Sequence, residues 1–157
     1  AEGESGSMLV FLRRKIDAEW AYRQLLQEGH SAERIHSDRS QSQRVKALEG
    51  LRSGTCRILI ATNIAARGID IPIIEHIVNF GVPDTVEEYV HRAGRTARGD
   101  AEGVVSTIAT WQETEQIRMI EKAIGEALPR LAAAGVEPYR ERRKTIRGRQ
   151  IRRRRLL

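Results

Sequence analysis

Short apolar runs alternate with amphipathic stretches along most of this chain, and few folds accept that rhythm. Met8–Phe11 (MLVF), Ile58–Ala61 (ILIA), His76–Phe80 (HIVNF) and Val104–Ala109 (VVSTIA) are each strand-length and nearly continuously apolar or β-branched. Strands buried on both faces of a parallel sheet read this way, whereas a sheet with one wet face would alternate. Arg34–His36 is a further short strand candidate.

Between these runs lie helical patterns with identifiable ends. Ile16, Trp20, Leu25 and Leu26 are expected to form the apolar face of a helix that ends before Gly29. Ser40 with Gln43, and Thr110 with Glu113, fit the capping box, in which the cap side chain and the third helical residue satisfy each other's orphan amides. Val45, Leu48 and Leu51 are expected to face inward on the helix that follows Ser40, which stops near Gly54. Asp84 with Glu87, just after Pro83, starts another. Strand–helix–strand repetition with short loops predicts an α/β domain with a mostly parallel sheet between helices.

Three segments follow. Residues 1–7 (AEGESGS) are small and polar and read as a linker or remnant; residues 8–128 form the folded unit; residues 129–157 are a basic tail expected to be disordered. The net charge of +6 is unevenly placed. Arg140–Leu157 holds ten Lys or Arg against the single Glu141, which leaves seventeen basic and twenty acidic residues elsewhere. The tail reads either as an electrostatic arm for nucleic-acid backbones or as a solubilising extension.

A single cysteine, Cys56, excludes an internal disulfide framework, and no His/Cys cluster has zinc-ligand spacing. No apolar run nears the roughly 20 residues that span a bilayer, and no signal-peptide pattern opens the chain. A cytoplasmic protein without a membrane partner is expected.

In α/β folds ligands bind where strands open into loops at their carboxyl ends. The chemically unusual residues gather there: His36–Arg44, Thr62–Asp70 and Gly81–Arg98. In Tyr89–Asp100 (YVHRAGRTARGD), helical geometry would put His91, Arg95 and Arg98 within about 60° of one another. Like-charged groups on one face suit an anion opposite them, and arginine forks bind phosphate oxygens bidentately. The competing reading is a solvated basic face. In Ile58–Pro72, Thr62 and the amides beyond it suit a phosphodiester oxygen. Asp70 accepts either from sugar hydroxyls or from Arg67. Ser40, Gln41 and Arg44 form an anion site or an ordinary helix cap. No GxxxxGK[ST] loop is present to cradle a triphosphate, and no second acidic motif to hold magnesium, so the arginines look like half of an active site.

In order and spacing these segments resemble the C-terminal RecA-like domain of a superfamily 2 helicase of the DEAD-box RNA helicase type. MLVFLRRK resembles motif IV, HSDRSQSQR the QxxR motif, ATNIAARGIDIP motif V and YVHRAGRTAR motif VI. The resemblance covers about Met8–Ala127 and implies a RecA-like three-layer fold. It implies that Arg95 and Arg98 are arginine fingers on ATP held by an N-terminal RecA-like domain of the same protein, with Mg2+ bound there. It places Asp70 and Gly68 at the nucleotide and His91 at the acidic motif across the cleft. Ser37, Arg44, Thr62 and Arg13 would contact the phosphates of RNA, which position a strand without reading its sequence. The isolated domain is expected to be inactive as an ATP hydrolase. Departures from the family pattern are Ser37 for Gly, Asn63 for Asp, Gly81 for Asp and Ala97 for Gly. A non-catalytic nucleic-acid-binding module and half of a DNA helicase are the competing functions.

Overall fold

The structure, a computed structural model, describes residues 6–66, 74–96 and 103–131. Its elements run β1 (Met8–Leu12), α1 (Lys15–Gln27), β2 (Ala32–Ile35), α2 (Gln41–Ser53), β3 (Ile58–Thr62), α3 (Asn63–Ala66), β4 (His76–Phe80), α4 (Val86–Ala93) and β5 (Val104–Ile108), and a 3-10 turn over Trp111–Glu113 leads into α5 (Thr114–Ile124). The strands form one sheet in the order β2-β3-β1-β4-β5. Every pairing is parallel, with β1 central: Leu9 lies between Leu59 on β3 and Ile77 on β4. The apolar strand runs are explained by this placement, since β1 and β3 are covered on both faces.

Alternation along each strand sorts the core into two layers. Leu9 and Phe11 of β1 pack with Leu59 and Ala61 of β3 and with Ala47, Leu48 and Leu51 of α2 on one face. Leu12, Ile58 and Ile60 pack with Ala18 of α1 on the other, joined by Met8, Val10, Ala21, Tyr22 and Leu25. Helix, sheet and helix make the expected three layers. A third cluster, Val82, Tyr89, Ile117 and Ile120, joins α4 to α5 beyond the sheet end and meets the first layer at Val105.

Several local expectations need correction. α1 ends before Gly29 as expected, but its inward face is Ala18, Ala21, Tyr22 and Leu25, while Ile16 is 67 % and Trp20 63 % exposed. At about 100° per residue Leu25 sits opposite Ile16, so the four apolar residues never shared one face. On α2 Leu48 and Leu51 are buried and Ala47 joins them, whereas Val45 is exposed. The Ser40–Gln43 capping box is present, and α2 stops at Gly54, whose φ of 75° is the left-handed conformation a helix end needs. The helix after Pro83 takes Thr85 as its cap, one residue later than Asp84, with Thr85 Oγ1 accepting from the Glu88 amide at 3.1 Å. The Thr110–Glu113 box caps a 3-10 turn rather than α5 directly. The second strand is Ala32–Ile35 rather than Arg34–His36. Finally, β5 ends the sheet, and its Val104 and Ile108 are exposed rather than buried on both faces.

Candidate active site

The carboxyl ends of the strands carry the site. Leu12 of β1 and Thr62 of β3 are register partners, Ile35 of β2 lies beside Ala61, and Phe11 lies beside Asn79 of β4. The loops leaving these strands therefore emerge together. Between them opens a cleft of about 440 Å³ lined by Phe11, Asn63, Ala66, Thr85, Glu87, Glu88, His91, Arg92 and Arg95. Two of the sequence-predicted residues, His91 and Arg95, line it.

The helix that carries His91, however, does not continue to Arg95. α4 stops at Ala93 with Gly94 as its cap, so Arg95 sits on the turn beyond the helix. That turn is pinned by backbone bonds from Arg95 N–H to the Arg92 carbonyl (3.0 Å) and from Ile74 N–H to the Arg95 carbonyl (3.1 Å). The Thr96 hydroxyl donates to the Ile74 carbonyl in addition. His91 is exposed, with Nε2 4.0 Å from Glu87 Oε1 one turn earlier. Arg67, Gly68, Asp70, Ala97 and Arg98, and residues 132–157 of the basic tail, lie outside the described residues.

The residue that organises the cleft wall was not singled out from the sequence. Arg92 is 6 % exposed. Its Nη1 donates to Asn79 Oδ1 at 2.7 Å, and its Nη2 to Asn63 Oδ1 at 2.5 Å and Glu88 Oε1 at 2.6 Å. Its guanidinium carbon lies 4.6 Å from the centroid of Phe11. Burial pulls the Arg92 pKa below its usual value, and Glu88 opposes that pull. The only local signal for this role was the Glu88–Arg92 spacing of one helical turn. Arg92 lies about 100° around the helix from His91, which turns it inward while His91 faces out.

The proposed RNA-side residues are placed differently from one another. Thr62 closes β3 and is buried, next to Asn63 of the cleft. Arg44, on the first turn of α2, donates from Nη2 to the His36 carbonyl at 3.3 Å. Ser37 stands on the turn after β2, its hydroxyl 3.3 Å from Asp38 Oδ1. Arg13 is tied into the protein: Nη2 donates to the Val82 carbonyl at 2.7 Å and lies 3.3 Å from Asp84 and 3.4 Å from Glu113. Burial would raise the pKa of Glu113, but the amides of Thr110 and Val82, the Thr110 hydroxyl and Arg13 outweigh it and hold the carboxyl below its usual range. Among the described residues, no group of three or more His, Cys, Asp or Glu is placed to hold a metal ion, and no helix is long and apolar enough to cross a membrane.

Residues 1–100 match the helicase conserved C-terminal domain. DEAD-box ATP-dependent RNA helicase 9, mitochondrial, of Arabidopsis thaliana is 37 % identical over 136 residues, which is 86 % of this chain and 22 % of that protein. ATP-dependent RNA helicase RhlB of Pseudomonas syringae is 38 % identical over 77 % of this chain and 30 % of its own length. The chain thus spans about a fifth to a third of the curated relatives it matches. Among solved structures, the E. coli DEAD-box protein SrmB, bound to regulator of ribonuclease activity A, superposes with a TM-score of 0.79 at 28 % identity, covering 87 % of this chain and 81 % of that one. A DEAD-box protein from the hyperthermophile Methanococcus jannaschii gives a TM-score of 0.73 at 35 % identity, covering 80 % and 35 %.

Proposed function

The chain belongs to the DEAD-box helicase family as a C-terminal RecA-like domain, and from that premise we propose that it is the C-terminal motor half of an ATP-dependent RNA helicase. In this reading Arg95 and Arg98 act as arginine fingers on ATP bound by an N-terminal RecA-like domain, where Mg2+ is also held. Asp70 and Gly68 face the nucleotide, and His91 meets the acidic motif of the companion domain. RNA phosphates are taken by Ser37, Arg44 and Thr62. Arg13 joins them in this reading; although tied to Val82, Asp84 and Glu113, it keeps 47 % of its side chain exposed. A cytoplasmic setting belongs to the same proposal.

The observation that carries this reading is the cleft itself. His91 and Arg95 line its rim, while Arg92 is locked into its wall by Asn63, Asn79 and Glu88. Both Arg92 Nη groups are bonded inside the domain, so in this reading the rim residues are the ones that act on something outside it. Fixed cations aimed at a transferring γ-phosphoryl group act by electrostatic stabilisation, since phosphoryl transfer asks for positioning and charge rather than covalent help. Removing such a finger costs about 10³–10⁵ in turnover in other systems.

The test is RNA-stimulated ATP hydrolysis by the protein carrying both RecA-like domains, wild type against Arg95→Ala and Arg98→Ala. Loss of turnover with ATP binding retained is expected, together with negligible hydrolysis by the 157-residue chain alone. Undiminished turnover in both variants overturns the finger assignment and favours a non-catalytic nucleic-acid-binding module. Stimulation by DNA in place of RNA would reassign the substrate.

A further inference from the structure

Away from the cleft, one group of titratable side chains around the buried His36 has no part in the proposed chemistry. Glu19 of α1, Arg34 of β2 and His36, the residue just beyond β2, converge on one oxygen. Glu19 Oε1 lies 2.7 Å from His36 Nε2 and accepts from Arg34 Nε at 2.7 Å. The Arg34 guanidinium lies over the Tyr22 ring, 3.7 Å from its centroid. His36 is 2 % exposed. The hydrogen bond from Arg34 lowers the Glu19 pKa, with burial opposing and His36 adding to it.

An apolar contact would join α1 to β2 at least as well, because desolvating charged groups cancels much of what their pairing returns. What the polar cluster adds lies on the other side of the imidazole. The Asp38 amide donates to His36 Nδ1 at 3.4 Å, and the His36 carbonyl accepts from Arg39 N–H at 3.0 Å and from Arg44 Nη2 at 3.3 Å. An N–H aimed at Nδ1 needs that nitrogen bare, so the ring proton sits on Nε2 and is donated to Glu19. Glu19 therefore fixes the tautomer and the plane of the ring. The ring and its carbonyl in turn fix the Ser37–Arg39 turn and the Arg44 guanidinium. Lys15, bonded to Asp38 at 2.9 Å, ties α1 to the same turn a second time.

We propose that Glu19 and His36 are positioning residues that hold the Ser37 turn and Arg44 in the geometry needed to receive RNA phosphates. The inference rests on the reading of Ser37 and Arg44 as phosphate contacts. A long guanidinium arm that is already anchored loses less freedom when it binds, and a turn whose amides are already oriented needs no rearrangement.

The experiment measures the RNA concentration that half-stimulates ATP hydrolysis, and the KM for ATP, in the protein carrying both RecA-like domains. Melting curves accompany each variant. Glu19→Ala removes the anchor. His36→Gln keeps a donor toward Glu19 and loses the acceptor for Asp38. Each is expected to raise the half-stimulating concentration roughly three- to tenfold, with the KM for ATP within about twofold, while Glu19→Gln, which retains the accepting oxygen, restores most of the affinity. Glu19→Ala combined with Arg44→Ala is expected to weaken RNA by less than the product of the two single losses, because part of the Glu19 effect runs through Arg44.

Additive losses in that double variant overturn the proposal, as does a parallel rise in both constants with a collapsed melting curve. If Glu19→Ala does not fold, the cycle of His36→Gln with Arg44→Ala decides on the same criterion. Wild-type behaviour of Glu19→Ala and His36→Gln beside a weakened Arg44→Ala rejects the positioning role alone. Wild-type behaviour of Arg44→Ala rejects the phosphate reading and the positioning role with it.

Discussion

Arg92 and Asn63 meet at 2.5 Å, guanidinium to amide oxygen, and this contact joins the last turn of α4 to the first residue of α3. The same side chain reaches Asn79 on β4 and Glu88 one turn back, and lies over Phe11 on β1. One buried arginine thus joins β1, α3 and α4, whose residues line the cleft, to β4 behind them. Among the described residues, two of its three hydrogen-bond acceptors are neutral amides and Glu88 is the one carboxylate bonded to it.

Truncation of that arginine should be among the more damaging substitutions in the domain. Arg92→Ala leaves Glu88, 15 % exposed, without its charged partner and strands the amide oxygens of buried Asn79 and half-buried Asn63. Stranding a buried charge costs about 3–5 kcal/mol. Arg92→Lys keeps the charge, but a point-like ammonium cannot span three acceptors in a plane, and a loss of about 1–3 kcal/mol is expected. Urea unfolding of both variants checks the order. An Arg92→Ala protein within about 1 kcal/mol of wild type would show that the network is not what holds the wall.

Acid sensitivity should be traceable to Glu113. Its carboxylate accepts from Val82 N–H at 3.1 Å and Thr110 N–H at 2.9 Å and faces Arg13, and its folded-state pKa lies below the ordinary value. A depressed carboxylate pKa contributes stability that is fully present above the unfolded pKa, roughly 4.3 for Glu, and is lost as pH falls through the lower folded value. Glu113→Gln sets an amide N–H₂ against one of those donors, so about 1–2 kcal/mol should be lost at pH 7. Stability curves of wild type and variant should then converge as the pH is lowered below about 4. A constant gap between them down to pH 3 would contradict the assignment.

The strand runs, the two capping boxes and the four motif segments were legible because each is a local pattern: one period, one cap, one spacing. The faces of the helices were less so. Ile16 and Trp20 are about 40° apart on α1 and look like a stripe, yet the buried face is centred on Ala18, Ala21, Tyr22 and Leu25. Small residues lay against the sheet there, and hydrophobicity alone ranked them below Trp20. The reach of α4 was misjudged for a similar reason, since the charge spacing suggested a helix through Arg98 while Gly94 ended it. Arg92 escaped notice because two of its acceptors, Asn63 and Asn79, arrive from other elements at sequence distances that carry no periodic signal. Glu19 and His36 were hidden likewise, seventeen residues apart on α1 and at the end of β2.

The corrected face of α2 can be tested directly. Val45 is 43 % exposed, while Leu48 is 8 % exposed and packs in the layer with Leu9 and Leu59. Val45→Ser should therefore change stability by no more than about 0.5 kcal/mol. Leu48→Ala should cost about 2–5 kcal/mol, from lost transfer energy and the cavity left behind. Denaturant midpoints with unchanged slopes measure both. Equal losses at the two positions would restore the face expected from sequence.

Gly81 is a position where backbone and side-chain effects can be separated. It follows β4 with φ of 95°, a conformation that L side chains rarely adopt, and its N–H donates to the Ile108 carbonyl at 2.9 Å. A Cβ placed there would lie 3.6 Å from Arg13 Nε and 3.7 Å from Glu113 Oε1, ordinary contact distances. Space is therefore not the obstacle, and Gly81→Ala should cost about 1–2 kcal/mol from the backbone alone. Gly81→Asn should cost less, because Asn tolerates positive φ better than Ala. Gly81→Asp adds a carboxylate between Arg13 and Glu113, attracted by the first and repelled by the second, so it should fall on the destabilised side of Gly81→Asn at neutral pH and approach it in acid as the carboxylates protonate. Thermal melts of the three variants at pH 7 and pH 4 measure this ordering, and an Asp variant more stable than the Asn variant at pH 7 would mean that Arg13, rather than Glu113, sets the field at this turn.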